Sequence, residues 1–412
     1  MEMRAAQGAR LLTEASMNDN VYEECGKSAA AEPITKRASR EEGAQKSLVI
    51  VPIKHGRTIG RTNFSGGGDM KNNMVTLKDI AERTGLSINT ISRALRNKDD
   101  ISEVTKKRVR AVAREMGYMH NALASSLRQG QTDTIAVIVG DISNPFFSWH
   151  VGEIERYARG CGYITYMINT EEDEALELRA IRNSLQRKVD GIIIAPSQHS
   201  IGNLLYLQEN NVPFVLLSRR FRDVSMPYVI QDDRRGGYLA TKHLIENGHR
   251  EILAVHGPLY ISSAQERLQG YEDALAEYGI RRNPDLIRGV SAIPGNCKNV
   301  ANAIAGGEIP CTGAVVFNDV IALEIWYLLK KLGVRVPEDC SIVGFDNIYA
   351  RFSTPYQLTS VGITANLASS TVDMLVRLIR RRKGESADIE TEKVLDVKLV
   401  QGESSGRLPG GS

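Results

Sequence analysis

From residue 134 onward, short apolar runs rich in β-branched residues alternate with longer amphipathic stretches. Nothing else in the 412-residue chain narrows its fold as far. The runs are Thr134–Val139, Gly162–Ile168, Gly191–Ala195, Phe214–Leu217, Glu251–Val255, Ala314–Phe317 and Cys340–Gly344. Between them the helical period predicts helices over Ala175–Arg187, Gly236–Asn247, Ala264–Tyr278 and Val320–Leu332. Such alternation dictates parallel sheets with right-handed crossovers, a doubly wound α/β fold. The runs fall into two sets, roughly 134–230 and 231–360, so two similar lobes are expected. A helix over Leu367–Arg382 returns to the first lobe, and a strand is read over Lys393–Val400. Ligands in open α/β sheets bind beyond the carboxyl ends of the strands, and a cleft between two lobes gathers such ends from both.

The segment before this body has a different character. Val75–Arg128 holds 11 Lys/Arg against 6 Asp/Glu, an excess of +5; the whole chain carries +3, which leaves −2 for the remainder. A small basic module on a near-neutral body points to nucleic acid as the partner. Thr76 and Asp79 have capping-box spacing, Leu77, Ile80 and Ala81 form an inward stripe, and Gly85 stops the helix. Ser87 caps a second helix, Ile88 to about Arg96, whose Ile91, Ala94 and Leu95 face inward. Its outward residues are Ile88, Asn89, Ser92, Arg93 and Arg96. Asn pairs with adenine, Arg with guanine, and an aliphatic side chain touches a thymine methyl, so this face suits the major groove. Ser102 caps a third helix carrying Val109, Val112, Ala113 and Met116 inward; Gly117 closes it and Tyr118 plugs the core. Lys106, Lys107, Arg108 and Arg110 are assigned to phosphate contacts or solvated charge.

Residues 1–73 are polar and poor in aromatics, which predicts a mostly disordered leader with one strand-like patch at Ser47–Ile53. Met70 follows a Gly-Gly-Asp stretch whose codons can form a purine-rich ribosome-loading string, so Met70 or Met74 is read as an alternative start. No apolar run approaches the roughly 18 residues of a membrane span. The five cysteines (Cys25, Cys161, Cys297, Cys311, Cys340) lack C-x-x-C spacing, as suits reduced thiols in the cytoplasm. The seven histidines show no metal-ligand pairing, and His249 reads as part of a helix-ending turn. No hydrolase, metalloprotease or nucleotide-binding motif occurs in its proper context, so neither catalysis nor a cofactor is expected.

The strand ends supply the ligand candidates. Asp141–Phe147 follows the first strand, Ser218-Arg219-Arg220 the fourth, Asn318-Asp319 the run Ala314–Phe317, and Asp346-Asn347 the run ending at Gly344–Phe345. Arg267 lies early on a helix after His256-Gly257-Pro258. Carboxylate, arginine, amides and aromatic faces together suit a polyhydroxylated ligand, with a nucleobase as the other fit.

In order, VTLKDIAERTGLS, TISRALRN, ISEVTKKRV, GY and NALASSL resemble the DNA-binding headpiece of the LacI/GalR family of bacterial transcriptional regulators. NPFF, the stretch around Arg267 and Tyr271, FND, VPEDCSIVGFDN and TPYQLTSV resemble that family's periplasmic-binding-protein-like core. The resemblance implies an all-α helix-turn-helix headpiece with a hinge helix, followed by a two-lobed core of doubly wound parallel sheets. It implies DNA contacts from Thr76, Ser87, Ile88, Asn89, Thr90, Ser92 and Arg93, and from Asn121, Ala124 and Leu127 on the hinge. Leu127 would wedge into the minor groove and kink the duplex. Ser125 stands where many members carry Arg. The implied effector contacts are Asp346, Asn318 and Arg267, with Phe146 and Phe147 lining the pocket and Ser218 at a strand end where the family often has Asp. Ile363 replaces a frequent Gln.

The expected division is a leader 1–73, a headpiece 74–130 with hinge helix 120–128, an effector-binding and dimerisation core 131–402, and a tail 403–412. Within the core, lobe one spans about 132–230 and 363–392 and lobe two about 231–362 and 393–402. The expected function is a repressor that binds a double-stranded, pseudo-palindromic operator as a homodimer. A small polar effector would control it, with a sugar ahead of a nucleobase. A solute-binding protein of a transport system and a DNA binder that has lost its effector response are the competing readings.

Overall fold

In a computed structural model of the chain the described residues are 75–118, 131–291, 295–351, 357–385 and 388–408. All belong to the unit Met74–Ser412. The leader, the alternative starts at Met70 and Met74, and the hinge residues Asn121, Ala124, Ser125 and Leu127 lie outside the described residues.

Three helices form the headpiece: α1 (Leu77–Thr84), α2 (Ile88–Leu95) and α3 (Glu103–Glu115). Thr76 and Asp79 close a reciprocal capping box, and Gly85 ends α1 in the left-handed region at φ 71°. Ser87 and Ser102 cap α2 and α3 through the backbone N–H groups of Thr90 and Thr105. Ile80, Ile91, Ala94, Val109 and Ala113 are the buried centre, with Tyr118 packed against them.

The body opens with β1 (Thr134–Val139), α4 (Pro145–Gly160), β2 (Ile164–Asn169), α5 (Glu174–Gln186), β3 (Gly191–Ile194), α6 (Gly202–Glu209), β4 (Phe214–Leu217) and β5 (Tyr228–Gln231). The second lobe follows with α7 (Asp233–Glu246), β6 (Ile252–His256), α8 (Ser262–Glu277), β7 (Ile287–Gly289), α9 (Lys298–Ala305), β8 (Gly313–Val316), α10 (Asp319–Lys331), β9 (Ser341–Phe345) and β10 (Thr359–Ile363). Helix α11 (Leu367–Arg382) packs on the first sheet, and β11 (Glu392–Leu395) and β12 (Val397–Val400) complete the two sheets. The sheet orders are β11-β5-β4-β3-β1-β2 and β12-β10-β9-β8-β6-β7. The lobes thus share one topology. Every pairing is parallel except β10 with β12.

Four differences from the sequence reading have physical causes. The single strand read over Lys393–Val400 is two. Lys393 pairs with Val229 of the first sheet and Val397 with Ile363 of the second, so the lobes part at Asp396 rather than between 392 and 393. The strands at Tyr228–Gln231, Ile287–Gly289 and Thr359–Ile363 are too short to carry a period of their own. The expected tail is, over its described residues, part of the second lobe. Ser404 is fully buried, its Oγ accepting from Thr359 N–H at 2.8 Å and donating to the Ile342 carbonyl. His249, read as a turn residue, holds this segment: its ring meets Thr312 Oγ1 at 3.0 Å and the Gly406 carbonyl at 3.1 Å.

Two glycines set how closely α7 and α8 cross. A Cβ on Gly237 would stand 2.0 Å from the Arg267 carbonyl, and one on Gly270 1.9 Å from that of Arg234. Only hydrogen fits. The chain passes between lobes at Gln231–Asp233, at Ile363–Asn366 and at Asp396. These passages are laced together by Asp232 N–H to Leu395 O and Thr364 N–H to Asp396 O, both 2.9 Å.

Candidate functional site

On the headpiece, the expected recognition surface is the outward side of α2. Ile88 is 49% exposed, and Asn89 and Arg93 are exposed beside it, whereas Thr90 and Ser92 are half-buried. Thr76 and Ser87 are both engaged as caps, and the Ser87 and Thr90 hydroxyls stand 2.9 Å apart. Their hydroxyls therefore sit at helix N-termini, where N–H groups and the helix dipole favour a phosphate. Arg93 forms an ion pair with Asp100 at 2.5 Å, so base contact requires an exchange of partners. Lys106 departs from its assignment. It is buried and paired with Glu103 at 2.8 Å, and so is structural rather than a solvated or phosphate-binding charge. Arg108 likewise reaches the Thr84 carbonyl at 3.0 Å and ties α3 to the end of α1.

In the body, all six expected effector residues line one cleft. Phe146, Phe147, Ser218, Arg267, Asn318 and Asp346 surround a small cavity of about 50 Å³. The wall is completed by Asp141, Asn144, Glu172, Arg219, Gln231, Ser263 and Phe317. The sequence reading had named the strand ends holding Asp141, Asn144 and Arg219 but gave those residues no role. Glu172, Gln231 and Ser263 it missed, because they come from a loop, an unrecognised strand and the residue beside a helix start.

Most wall residues are set by strand ends, while Ser263 and Arg267 come from α8. Asn144 caps α4 by accepting from the Phe146 N–H at 3.0 Å, which turns both phenylalanines toward the cleft with their rings 5.4 Å apart, edge to face. Ser218 follows β4 at φ 59°, a left-handed conformation that costs a non-glycine residue energy. Its buried Oγ has no hydrogen-bond partner. A buried orphan hydroxyl is expensive unless something completes it. Asp346 follows β9 at φ 102° and is equally constrained. Asn318 caps α10 through Ile321 N–H at 2.9 Å, so its carbonyl oxygen is engaged and its amide nitrogen is left for the cleft. Ile363 is not in the wall; it packs against both cores at a passage between the lobes.

Charge in the cleft is closely matched. Arg219 grips Glu172 through two bonds of 2.7 Å and also donates to the Pro196 carbonyl at 2.6 Å. Arg267 donates to Asp233 at 2.8 Å and to the Phe317 carbonyl at 2.5 Å, and lies 3.6 Å from Asp346. Its guanidinium stacks 3.6 Å above the Phe345 ring. Burial pushes the Asp346 carboxyl up to about 7, with the neighbouring charge of Asp233 adding to the rise and Arg267 opposing it. Asp233 rises to about 6, again chiefly through burial. Behind them Asp319 is pushed well above the carboxylate range by burial and by Asp346; it accepts from Ser360 Oγ at 2.6 Å and Ile348 N–H at 2.9 Å and so fixes the Asp346 loop. The wall holds three carboxylates (Asp141, Glu172, Asp346) against two arginines, and with the Asp346 carboxyl raised to about 7 its net charge lies between −1 and 0. Such a near-neutral wall of paired charges suits neutral ligands rich in donors and acceptors.

Comparison with known proteins matches both parts of the chain. Residues 76–121 fit the pattern of bacterial regulatory proteins of the lacI family, and residues 132–395 that of periplasmic binding proteins and the sugar-binding domain of the LacI family. The transcriptional repressor PurR of Aliivibrio salmonicida is 34% identical over 317 residues, covering 76% of this chain and 94% of that one. The lac repressor dimer bound to operator and the anti-inducer ONPF superposes with a TM-score of 0.71 at 25% identity, over 81% of this chain and 100% of the other. A LacI-family regulator of Enterococcus faecium with bound ribose gives a TM-score of 0.56 at 30% identity, over 67% and 99%.

Proposed function

Because the chain belongs to the LacI family, whose members join a helix-turn-helix DNA reader to an effector-binding core, we propose that its effector is a neutral polyhydroxylated molecule, a sugar or sugar derivative. The observation that carries this reading is the cleft itself. Two arginines are held rigid by carboxylates, three phenylalanines line the wall, and the unpartnered Ser218 hydroxyl looks for a hydrogen bond. Paired planar groups fork vicinal hydroxyls, and aromatic faces take the C–H side of a sugar ring. The bound ribose of the Enterococcus faecium relative supports the same class. The site residues proposed are Phe146, Phe147, Ser218, Arg267, Asn318 and Asp346 in the cleft, and Thr76, Ser87, Ile88, Asn89, Thr90, Ser92, Arg93, Asn121, Ala124 and Leu127 on DNA.

The protein would act in the cytoplasm as a repressor on a two-fold operator, binding rather than converting its effector. A homodimer is supported by the edge of the first sheet, where Ile164 is 71% and Met167 46% exposed on β2, beside Tyr157 at 40% on α4. An unpaired edge with apolar side chains asks for a cover. Thermal-shift and calorimetric titration with pentoses, hexoses, disaccharides, sugar phosphates and nucleobases tests the effector class. A neutral sugar should saturate the wild type and fail with Arg267→Lys; saturation only by a sugar phosphate or a nucleobase would overturn the assignment.

A further inference from the structure

We propose that the first turn of α8 clasps the first lobe, so that contacts of the chain itself hold the cleft shut. Helix α8 begins without a cap of its own, for Ile261 offers no side-chain acceptor. Its cap comes from the opposite lobe: Gln198 Oε1, in the loop after β3, accepts from Ser262 N–H at 2.9 Å. The same Gln198 donates to the Arg220 carbonyl at 2.8 Å, and Arg220 N–H donates to Ser262 Oγ at 3.2 Å. One helical turn on, Glu266 receives the Arg220 guanidinium at 2.8 Å and that of Arg222 at 3.4 Å, with only 7% of its side chain exposed. At the outer end the His199 and Tyr260 rings lie 4.1 Å apart across the lobes. Gln198 is held at φ 64°, a conformation that persists in a non-glycine residue only where its surroundings over-determine it.

None of these contacts runs through the cavity. On α8, Ser263 and Arg267 face the cleft, while Ser262 and Glu266, each one position earlier, face the other lobe. Residues four apart share a helix face, so the two pairs form adjacent stripes with separate tasks. Opening the lobes would strip α8 of its cap and part a buried carboxylate from two arginines. Closure is thus favoured without any ligand atom, and Gln198 and Glu266 act as positioning residues that govern how readily an effector enters. The proposal does not depend on which effector that is.

Hydrogen exchange by mass spectrometry on the full chain tests it with Gln198→Ala and Glu266→Gln. Loss of the cap alone shifts the opening equilibrium about fivefold. Exchange should therefore rise about fivefold in the turn 260–267 and also in Asp141–Phe147 and Gly344–Ile348, which line the cleft away from the clasp. A rise confined to 260–267 and the contacting loops 198–222 would make the contacts local supports and overturn the clasp; no change in either variant would do the same.

Discussion

Replacing Asp346 by Asn should make the protein more stable while removing its effector response. The carboxyl ionises near 7 in the folded chain against 3.8 for an ordinary aspartate. The folded state therefore keeps a proton that the unfolded state releases, and stability falls as pH rises through that window. At 1.36 kcal/mol per pH unit the full loss by pH 8 is about 4 kcal/mol. Part of this belongs to the mutual repulsion with Asp233, and the 3.6 Å contact with Arg267 is lost in exchange. The net gain at pH 8 is therefore about 1–3 kcal/mol. Near pH 5 the carboxyl is neutral in the folded chain but still ionises on unfolding, so only a little over a third of the loss has accrued and the gap between the two proteins should narrow. Equilibrium urea unfolding at the two pH values measures the difference, and sugar titration of the same samples measures the response. If the Asn variant were less stable than wild type at pH 8, or the gap identical at both pH values, Asp346 would be a structural partner of Arg267 and not a carboxylate held for a ligand.

Arg93→Ala should relax base preference at one operator position at a cost of about 1–3 kcal/mol, read by binding to single-base operator variants selected from a random library. Asp100→Asn should have the opposite sense and strengthen DNA binding, because it frees Arg93 from its ion pair; gel-shift titration checks it. Gly270→Ala sets a Cβ against the Arg234 carbonyl and should cost at least about 1–3 kcal/mol in unfolding free energy, with weakened effector binding because α8 carries Arg267. Burial lowers the pKa of both His249 and His243, so the stability they contribute is present above their unfolded value of 6.5 and is lost as pH falls below it. His249→Gln should flatten that part of the acid-side loss in thermal melts between pH 7 and pH 5.

The strand–helix rhythm and the headpiece caps were legible because they rest on local chemistry. Thr76, Ser87, Ser102 and Gly85 do in the structure what their spacing asks of them. Five of the six cleft residues could be named because they lie just beyond strand ends, which converge in this architecture; Arg267, on α8, was named from its place after the His256-Gly257-Pro258 turn and from the family resemblance. What stayed hidden depends on partners distant in sequence. Lys106 reads as surface charge until α3 is packed. Lys393–Val400 reads as one strand until two sheets claim its halves. Ser404 and Ser405 look like tail until Thr359 and His243 bind them. Gln231 and Glu172 carry no local signal for the cleft at all.

The location of the cleft accounts for how a ligand could change a distant surface. Gln231 and Asp233 flank the first passage between lobes. Asp233 anchors Arg267 at 2.8 Å, and Gln231 lines the cleft together with Asp346. The neighbouring passage at Asp396 is bonded to this one through Asp232 N–H and to the third through Thr364 N–H. A ligand that ionises Asp346 or draws Arg267 toward itself must therefore act on the three strands about which the lobes turn. The first lobe holds the end of the linker to the headpiece: Thr132 N–H donates to Asp190 and Thr132 Oγ1 to the Lys188 carbonyl at 3.0 Å. Movement of the first lobe therefore carries Thr132 and the strand that follows it. A ligand acts there only through its unequal affinity for the two lobe arrangements. Asp346 is placed to supply that inequality, because burial raises its carboxyl to about 7 and a ligand donating to the carboxylate would favour its charged form.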